Sequence, residues 1–406
     1  MRLKTVKVQH YKSLDDVTVD LHPEVTVIVG PNGVGKSNFV DALRFLRDAV
    51  TDDLDDAIRQ REGIVRLLQS YKTKPYQIGL SFAFIDRNLQ MNYGLQIKGR
   101  SNGDWSIVRE IFAHNENPDK SSAAASLSLD NRTPFQRDVT GRLTLGANNL
   151  EYAVPDSVLA LGGAFRLTTD PGAIARDTLR AGVLERIWLG APIVDQISSW
   201  TYCTIYPNTL KKPAQLDRAR TLKESGENWA SVIKRAKKNT LDKVYEAMRA
   251  VLPTFQSVQV ATVGSYLVPQ FKFLSGGDTV LFDPVQLSDG TLRLFGILLA
   301  AYQIPRPSLL VIEEPEQTIY PGALMVLADV FKEVSRTTQV IITTHSPHLV
   351  SHFAPEQIRV ANLRDGLTHI QPIHPHQIEA VHEGLLSLEE FMATEGLRPA
   401  DTQLAP

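Results

Sequence analysis

The chain opens on alternating apolar and polar positions. Leu3, Val6 and Val8, then Val17, Val19 and Leu21, repeat at the spacing of half-buried strands, and Val25 to Val29 is apolar throughout, as a strand covered on both faces would be. A glycine-rich turn follows, after which Phe39, Val40, Leu43, Leu46 and Val50 recur at helical spacing between Ser37 and Val50. The predicted order is strand, loop, helix. Gln77 to Ile85 and Met91 to Ile97 read as further strands ahead of Trp105 to Phe112, with Asn102-Gly103 as a hairpin turn.

From His114 to Arg180 the pattern weakens into loops and short elements around a Ser/Ala run. Trp229 to Leu252 predicts one amphipathic helix, because Trp229, Val232, Ile233, Val244 and Met248 line one face and most basic residues fall on the other. Val258 to Leu274 is strand-like. An α/β rhythm then returns with helix Thr291 to Tyr302, strand Leu309 to Ile312, helix Gly322 to Ser335 and strand Val340 to Thr343.

Composition narrows the class. With 406 residues, 43% hydrophobic and 22% charged, the chain is neither disordered nor collagenous and can bury a full core. No stretch approaches roughly 18 apolar residues and the N-terminus lacks an apolar segment, which predicts no membrane span, no signal peptide and a cytoplasmic protein. The single cysteine, Cys203, excludes an intramolecular disulfide and a multi-thiolate zinc site. A net charge of -2 excludes a globally basic nucleic-acid binder, yet Lys211 to Lys243 forms a local basic patch. That patch is a candidate surface for DNA, RNA or an acidic partner, or simply the solvated face of the amphipathic helix.

Gly30-Pro31-Asn32-Gly33-Val34-Gly35-Lys36-Ser37 has GxxxxGKS spacing between a strand and a helix. Glycines let backbone N–H groups wrap a phosphate, and the new helix points its positive end at the same anion. Asn32, Gly33, Val34, Gly35, Lys36, Ser37 and Asn38 are therefore candidate nucleotide-binding residues, with Ser37 also a candidate Mg²⁺ ligand. An ordinary glycine-rich turn is the bland alternative.

The strand Leu309 to Ile312 ends in two acids. Alternation sends neighbours to opposite sides, so Glu313 is expected to hold Mg²⁺ and Glu314 to polarise the attacking water. A solvated pair of strand-end acids is the alternative. The strand Val340 to Thr343 leads into His345, which is expected to sense the γ-phosphate, against an ordinary strand-end histidine. His374 and His376 sit in a Pro-bracketed tail segment and are not expected to be ligands.

Together these residues resemble ABC-class ATPases of the SMC and RecF type, in which a second subunit completes each ATP site with an LSGGQ-like loop. Two segments match. Leu274-Ser275-Gly276-Gly277-Asp278 is closer by letter but separates two strand-like runs, so it reads as a hairpin tip. Leu287-Ser288-Asp289-Gly290-Thr291 opens a helix ahead of Glu313, and its position makes Ser288 and Gly290 the expected trans-acting residues. A Ser-capped turn remains the alternative for both.

GPNGVGKSNFVDAL, LKESGENWASVI, LSDGTLRLFGILLA, LLVIEEPEQTIYPGAL and TTHSP look like the "predicted ATPase" group of stand-alone RecF/SMC-like proteins, related to the ATPase part of OLD-family proteins. The resemblance implies an α/β, ABC-type P-loop NTPase head with an antiparallel β attachment and an inserted helical lid. Its expected divisions are an N-terminal ATPase half (1–113), a lid region (114–255), a C-terminal ATPase half (256–372) and a tail (373–406). It implies ATP and Mg²⁺ as cofactors, catalytic Lys36, Glu314 and His345, and a head-to-tail homodimer. It also implies an anti-phage defence or DNA-repair role controlling a separate effector or nuclease from the same operon. The alternative is an ATP-binding scaffold with little turnover. Glu313 in place of the usual Asp, Glu316 to Pro321 in place of ENGLHP, and LSDGT in place of LSGGQ are the departures.

Overall fold

A computed structural model of the chain describes residues 1–68, 77–87, 89–115 and 191–402, with three short strands at 135–137, 142–145 and 150–153. The weakly patterned stretch between His114 and Arg180 therefore lies largely outside the described residues. The chain divides into two units, one of Met1–Pro23, Gly30–Trp200 and Val360–Gln371, the other of Glu24–Val29, Thr201–Arg359 and Pro372–Pro406.

The first unit is built on antiparallel strands. Arg2–Tyr11 pairs with Leu14–Asp20 on one side and Gln77–Asp86 on the other, and Leu89–Gly99 and Trp105–Asn115 continue the meander. Alternation does what the sequence pattern requires: Leu3, Val6 and Val8 are fully buried, while Asp16, Thr18 and Asp20 of the neighbouring strand are not. Gly103, at φ 93, turns the Asn102-Gly103 hairpin. The helix Lys36–Thr51 buries Phe39, Val40, Leu43 and Leu46.

The second unit holds four parallel strands in the order Thr201–Cys203, Leu309–Glu313, Gln339–Thr344, Val25–Val29. Every residue of Val25–Val29 and Gln339–Thr344 is buried, which is why these largely apolar runs show no alternation. Helices Asp289–Tyr302 and Pro321–Ser335 pack within this unit. A separate antiparallel sheet of Ala214–Gln215, Phe255–Val263, Tyr266–Ser275 and Asp278–Phe282 carries a cluster of Trp229, Phe271 and Phe295 with ring centroids 5.1–5.8 Å apart.

Two expected elements are divided. Trp229 to Leu252 is two helices, Trp229–Arg235 and Lys238–Val251, with Ala236 and Lys237 extended at ψ 142 and 149. The physical reason is that the partners of the two halves only partly overlap: both meet Phe255–Val263, but the first lies mostly on the antiparallel sheet, whereas the second also packs on Asp289–Tyr302 and Pro321–Ser335. One straight axis cannot do both. Val258 to Leu274 is likewise a hairpin, because Gly264 at φ 60 reverses the chain and pairs Val263 with Tyr266. The Leu274–Asp278 segment is a hairpin tip, as expected, with Gly276 and Gly277 at φ 60 and 94 and Ser275 opposite Asp278.

Candidate functional site

The phosphate-loop residues belong to the first unit. In chain order the loop leaves the strand Val25–Val29 and opens the helix Lys36–Thr51, whose N-terminus has no side-chain cap, so its first amides are left to an anion. Gly35 adopts φ 96, and a Cβ there would lie 2.0 Å from Thr368 Oγ1. Thr368 braces the loop: its hydroxyl donates to the Val34 carbonyl at 2.8 Å and meets Ser13 Oγ at 2.6 Å. Asn38 Nδ2 donates to the same Ser13 oxygen at 2.6 Å.

Lys36 is 5% exposed and its ammonium donates to the Gly30 and Pro31 carbonyls at 2.7 and 2.9 Å, so it is held over the loop. Asn32, Gly33 and Ser37 are exposed. Behind the loop, Asp41 accepts from Tyr11 Oη at 2.7 Å, Lys12 Nζ at 2.5 Å and Arg61 Nε at 2.9 Å. Burial pushes the Asp41 carboxyl up, but Arg61, Lys12 and Tyr11 outweigh it and leave it below the usual carboxylate range.

The carboxylates and the histidine belong to the second unit, at the C-terminal ends of its parallel strands. Glu313 pairs with Thr343, and Thr344 with Val29, so the histidine strand lies between the carboxylate strand and the strand that leads into the loop. Glu314 turns the chain away at φ 46, a left-handed conformation made more costly by the following Pro315. Its N–H donates to the Thr343 carbonyl at 2.8 Å, and the Arg293 guanidinium donates to its carbonyl at 3.1 Å and to the Ile205 carbonyl at 3.0 Å. Burial holds Arg293 below its ordinary pKa. The Glu314 carboxylate lies 3.8 Å from His345 Nδ1 and accepts from Gln317.

Sequence reasoning missed Glu316, Arg293 and Thr368. Glu316, whose side chain is 8% exposed, accepts from Thr344 Oγ1 at 2.6 Å and the His345 N–H at 3.0 Å, and lies 3.3 Å from His345 Nδ1. No period marks it; only its place two residues after Glu314 could have flagged it. Arg293 is a charge inside an otherwise apolar helix, which is a readable signal for a buried polar duty.

Ser288 is the N-cap of Asp289–Tyr302 and accepts from the Thr291 N–H at 3.2 Å, with its side chain exposed. Gly290 is sterically required, because a Cβ would stand 2.3 Å from the Thr318 carbonyl oxygen. Among the described residues no cluster of three or more His, Cys, Asp and Glu could hold a metal. The Ser37 hydroxyl of the first unit and the Glu313 carboxylate of the second are each hard oxygen donors of the kind Mg²⁺ takes beside water and phosphate. His374 accepts from the His376 N–H at 3.3 Å and caps its own helix. No described helix is long and apolar enough to cross a membrane.

Two family models match the chain. One, "AAA domain, putative AbiEii toxin, Type IV TA system", covers residues 196–351, and the other, "AAA ATPase domain", covers residues 1–261. The chain is 51% identical over 47 residues to the chromosome partition protein Smc of Xanthomonas oryzae pv. oryzae, across 11% of this chain and 4% of that protein. It is 35% identical over 43 residues to the DNA replication and repair protein RecF of Staphylococcus haemolyticus, across 11% of this chain and 12% of that one. These matches span only a small part of the relatives' length.

A solved SMC head bound to the C-winged helix domain of ScpA is similar at 14% identity and TM-score 0.54, covering 91% of this chain and 97% of that one. The Smc head with an extended coiled coil from Pyrococcus furiosus, bound to the C-terminal domain of ScpA, is similar at 13% identity and TM-score 0.50, covering 95% and 99%. The shared fold is an α/β P-loop NTPase head with an inserted helical region. With one family model spanning residues 1–261, this RecF/SMC-like chain belongs to the AAA ATPase domain family.

Proposed function

We propose that the protein is an ATP-binding and ATP-hydrolysing switch of the cytoplasm, whose heads close head-to-tail around ATP and reopen on hydrolysis. The observation that carries this reading is the strand register. Glu313 beside Thr343, and Thr344 beside Val29, put the carboxylates and His345 at the C-terminal ends of parallel strands, one of which runs on in sequence into Gly30, and such ends are where ligands bind in sheets of this kind. In this reading Lys36 and the amides of residues 33–38 hold the β- and γ-phosphates, and His345 contacts the γ-phosphate. Glu314 orients and deprotonates the attacking water, and Ser288 with Gly290 of a second copy closes the open flank. Mg²⁺, held by Ser37 and by Glu313 through water, would neutralise charge on the phosphates.

The AbiEii-type model and the RecF likeness support a role in a defence or repair system, with a separate effector or nuclease as partner. The basic patch Lys211–Lys243 is its candidate contact for DNA, RNA or an acidic protein.

Glu314→Gln tests the core of the reading. The variant is expected to bind ATP, accumulate as a dimer and release phosphate about 10²- to 10⁴-fold more slowly. Wild-type turnover in this variant would remove Glu314 from the chemistry. Stoichiometric ATP with negligible phosphate release from the unmodified protein, even with DNA present, would favour the scaffold alternative.

A further inference from the structure

The basic patch is not uniform. Lys211 pairs with Asp289 at 2.6 Å, Lys223 with Asp217 at 2.8 Å, and Lys243 with Glu333, so these three charges are neutralised internally. The exposed side chains of Arg220 and Lys237, by contrast, have no ion-pair or hydrogen-bond partner among the described residues, and Arg235 donates only to the Ala219 carbonyl at 3.2 Å. These three cations line one cavity of about 430 Å³ in the second unit, beside the break between Trp229–Arg235 and Lys238–Val251.

Two further features give that cavity a sign and a shape. Lys237 is the N-cap of the helix Lys238–Val251, with no side-chain cap, so a positive side chain adds to the positive end of the helix dipole. Nothing on the helix's own first turn is acidic, and an anion would relieve both charges. Gln303, 1% exposed, also lines the cavity: its Oε1 accepts from the Leu222 N–H at 2.7 Å, while its buried Nε2 has no partner. The remaining wall is apolar, from Val232, Leu299, Ile304 and Pro305. A purely ionic occupant would leave that wall unused.

We propose that this cavity binds a terminal phosphomonoester carried on a body of mononucleotide size, at a site separate from the residues assigned to ATP. Its volume falls within the roughly 300–1,000 Å³ of small-molecule sites. Such a group has two sources, a free mononucleotide or the 5′ end of a single strand, and both present the same dianion. The inference does not depend on the ATPase reading.

The test uses the full chain carrying Lys36→Ala, so that the phosphate loop is disabled, and three probes: AMP, a short 5′-phosphorylated oligothymidylate and its 5′-hydroxyl counterpart. At least one phosphorylated probe is expected to bind, the phosphorylated strand about tenfold or more tighter than the hydroxyl strand if the strand end is the source, and AMP alone if the free nucleotide is. Arg220→Glu with Lys237→Glu, both exposed changes whose folding is checked by Tm, is expected to weaken binding by about tenfold or more and flatten its salt dependence. Lys98→Glu, exposed and outside both the basic patch and the cavity, is expected to leave it unchanged. The proposal is overturned if neither phosphorylated probe binds, if the strands do bind but equally with and without the 5′ phosphate, or if binding survives the double charge reversal.

Discussion

Glu316 holds His345 by both backbone and ring: its Oε1 accepts from the His345 N–H at 3.0 Å and lies 3.3 Å from Nδ1. The same oxygen takes the Thr344 hydroxyl at 2.6 Å, so one buried carboxylate ties the segment after the acidic pair to the tip of the histidine strand.

Loss of that tie has a kinetic signature. Glu316→Ala is expected to lower kcat for ATP hydrolysis by about tenfold or more with KM changed only slightly, and Glu316→Gln, which keeps an acceptor at Oε1, to recover most of it. Steady-state phosphate release in the three proteins checks this. An unchanged kcat in the alanine variant would reduce Glu316 to a packing residue.

A composite site predicts complementation. Lys36→Ala should abolish nucleotide binding, and Ser288→Arg should leave binding intact but block the partner's site. Each alone is expected to be inactive; mixed, they form one complete site per dimer and regain part of the activity. Failure of the mixture to exceed the sum of its parts would mean that Ser288 acts within its own chain or not at all.

Asp41 links the phosphate-loop helix to Tyr11, Lys12 and Arg61, and its carboxyl is held below the usual range. A depressed folded pKa contributes stability that is present above the unfolded value, about 4, and lost as pH falls through the folded value. Asp41→Asn is expected to cost about 2 kcal/mol at neutral pH, with the gap to the unmodified protein narrowing below about pH 4. Urea titrations across pH measure this. A constant gap down to strongly acidic pH would contradict it.

Cys203 is 3% exposed, and burial pushes its thiol up to about 12 against the opposing pull of Arg293. The thiolate is the reactive form, so at neutral pH the folded protein is expected to resist a thiol reagent and to react only as it unfolds. Rapid stoichiometric labelling of the native protein would show the thiol to be accessible.

Much of this was legible along the chain. The strand, loop and helix around Lys36, the apolar strands ending at Glu313 and Thr344, and the Gly276-Gly277 tip follow from local periodicity and from backbone conformations that only certain residues tolerate. Trp229 to Leu252 misled because its apolar spacing persists through Ala236, although its two halves pack on only partly overlapping sets of elements. Gly264 within a strand-like run was the signal of a turn.

What the chain by itself determined is which short segments could be strands, helices and tight turns, and which residues are candidates for chemistry, since period and steric freedom act over a few neighbours. Tertiary structure alone decided who stands beside whom. The strand Gln339–Thr344, which leads into His345, lies between its carboxylate neighbour and Val25–Val29 because parallel pairing is chosen by packing across long sequence separations. The duties of Glu316, Arg293 and Thr368 arise the same way: each answers a buried polar group that only the folded chain brings within reach.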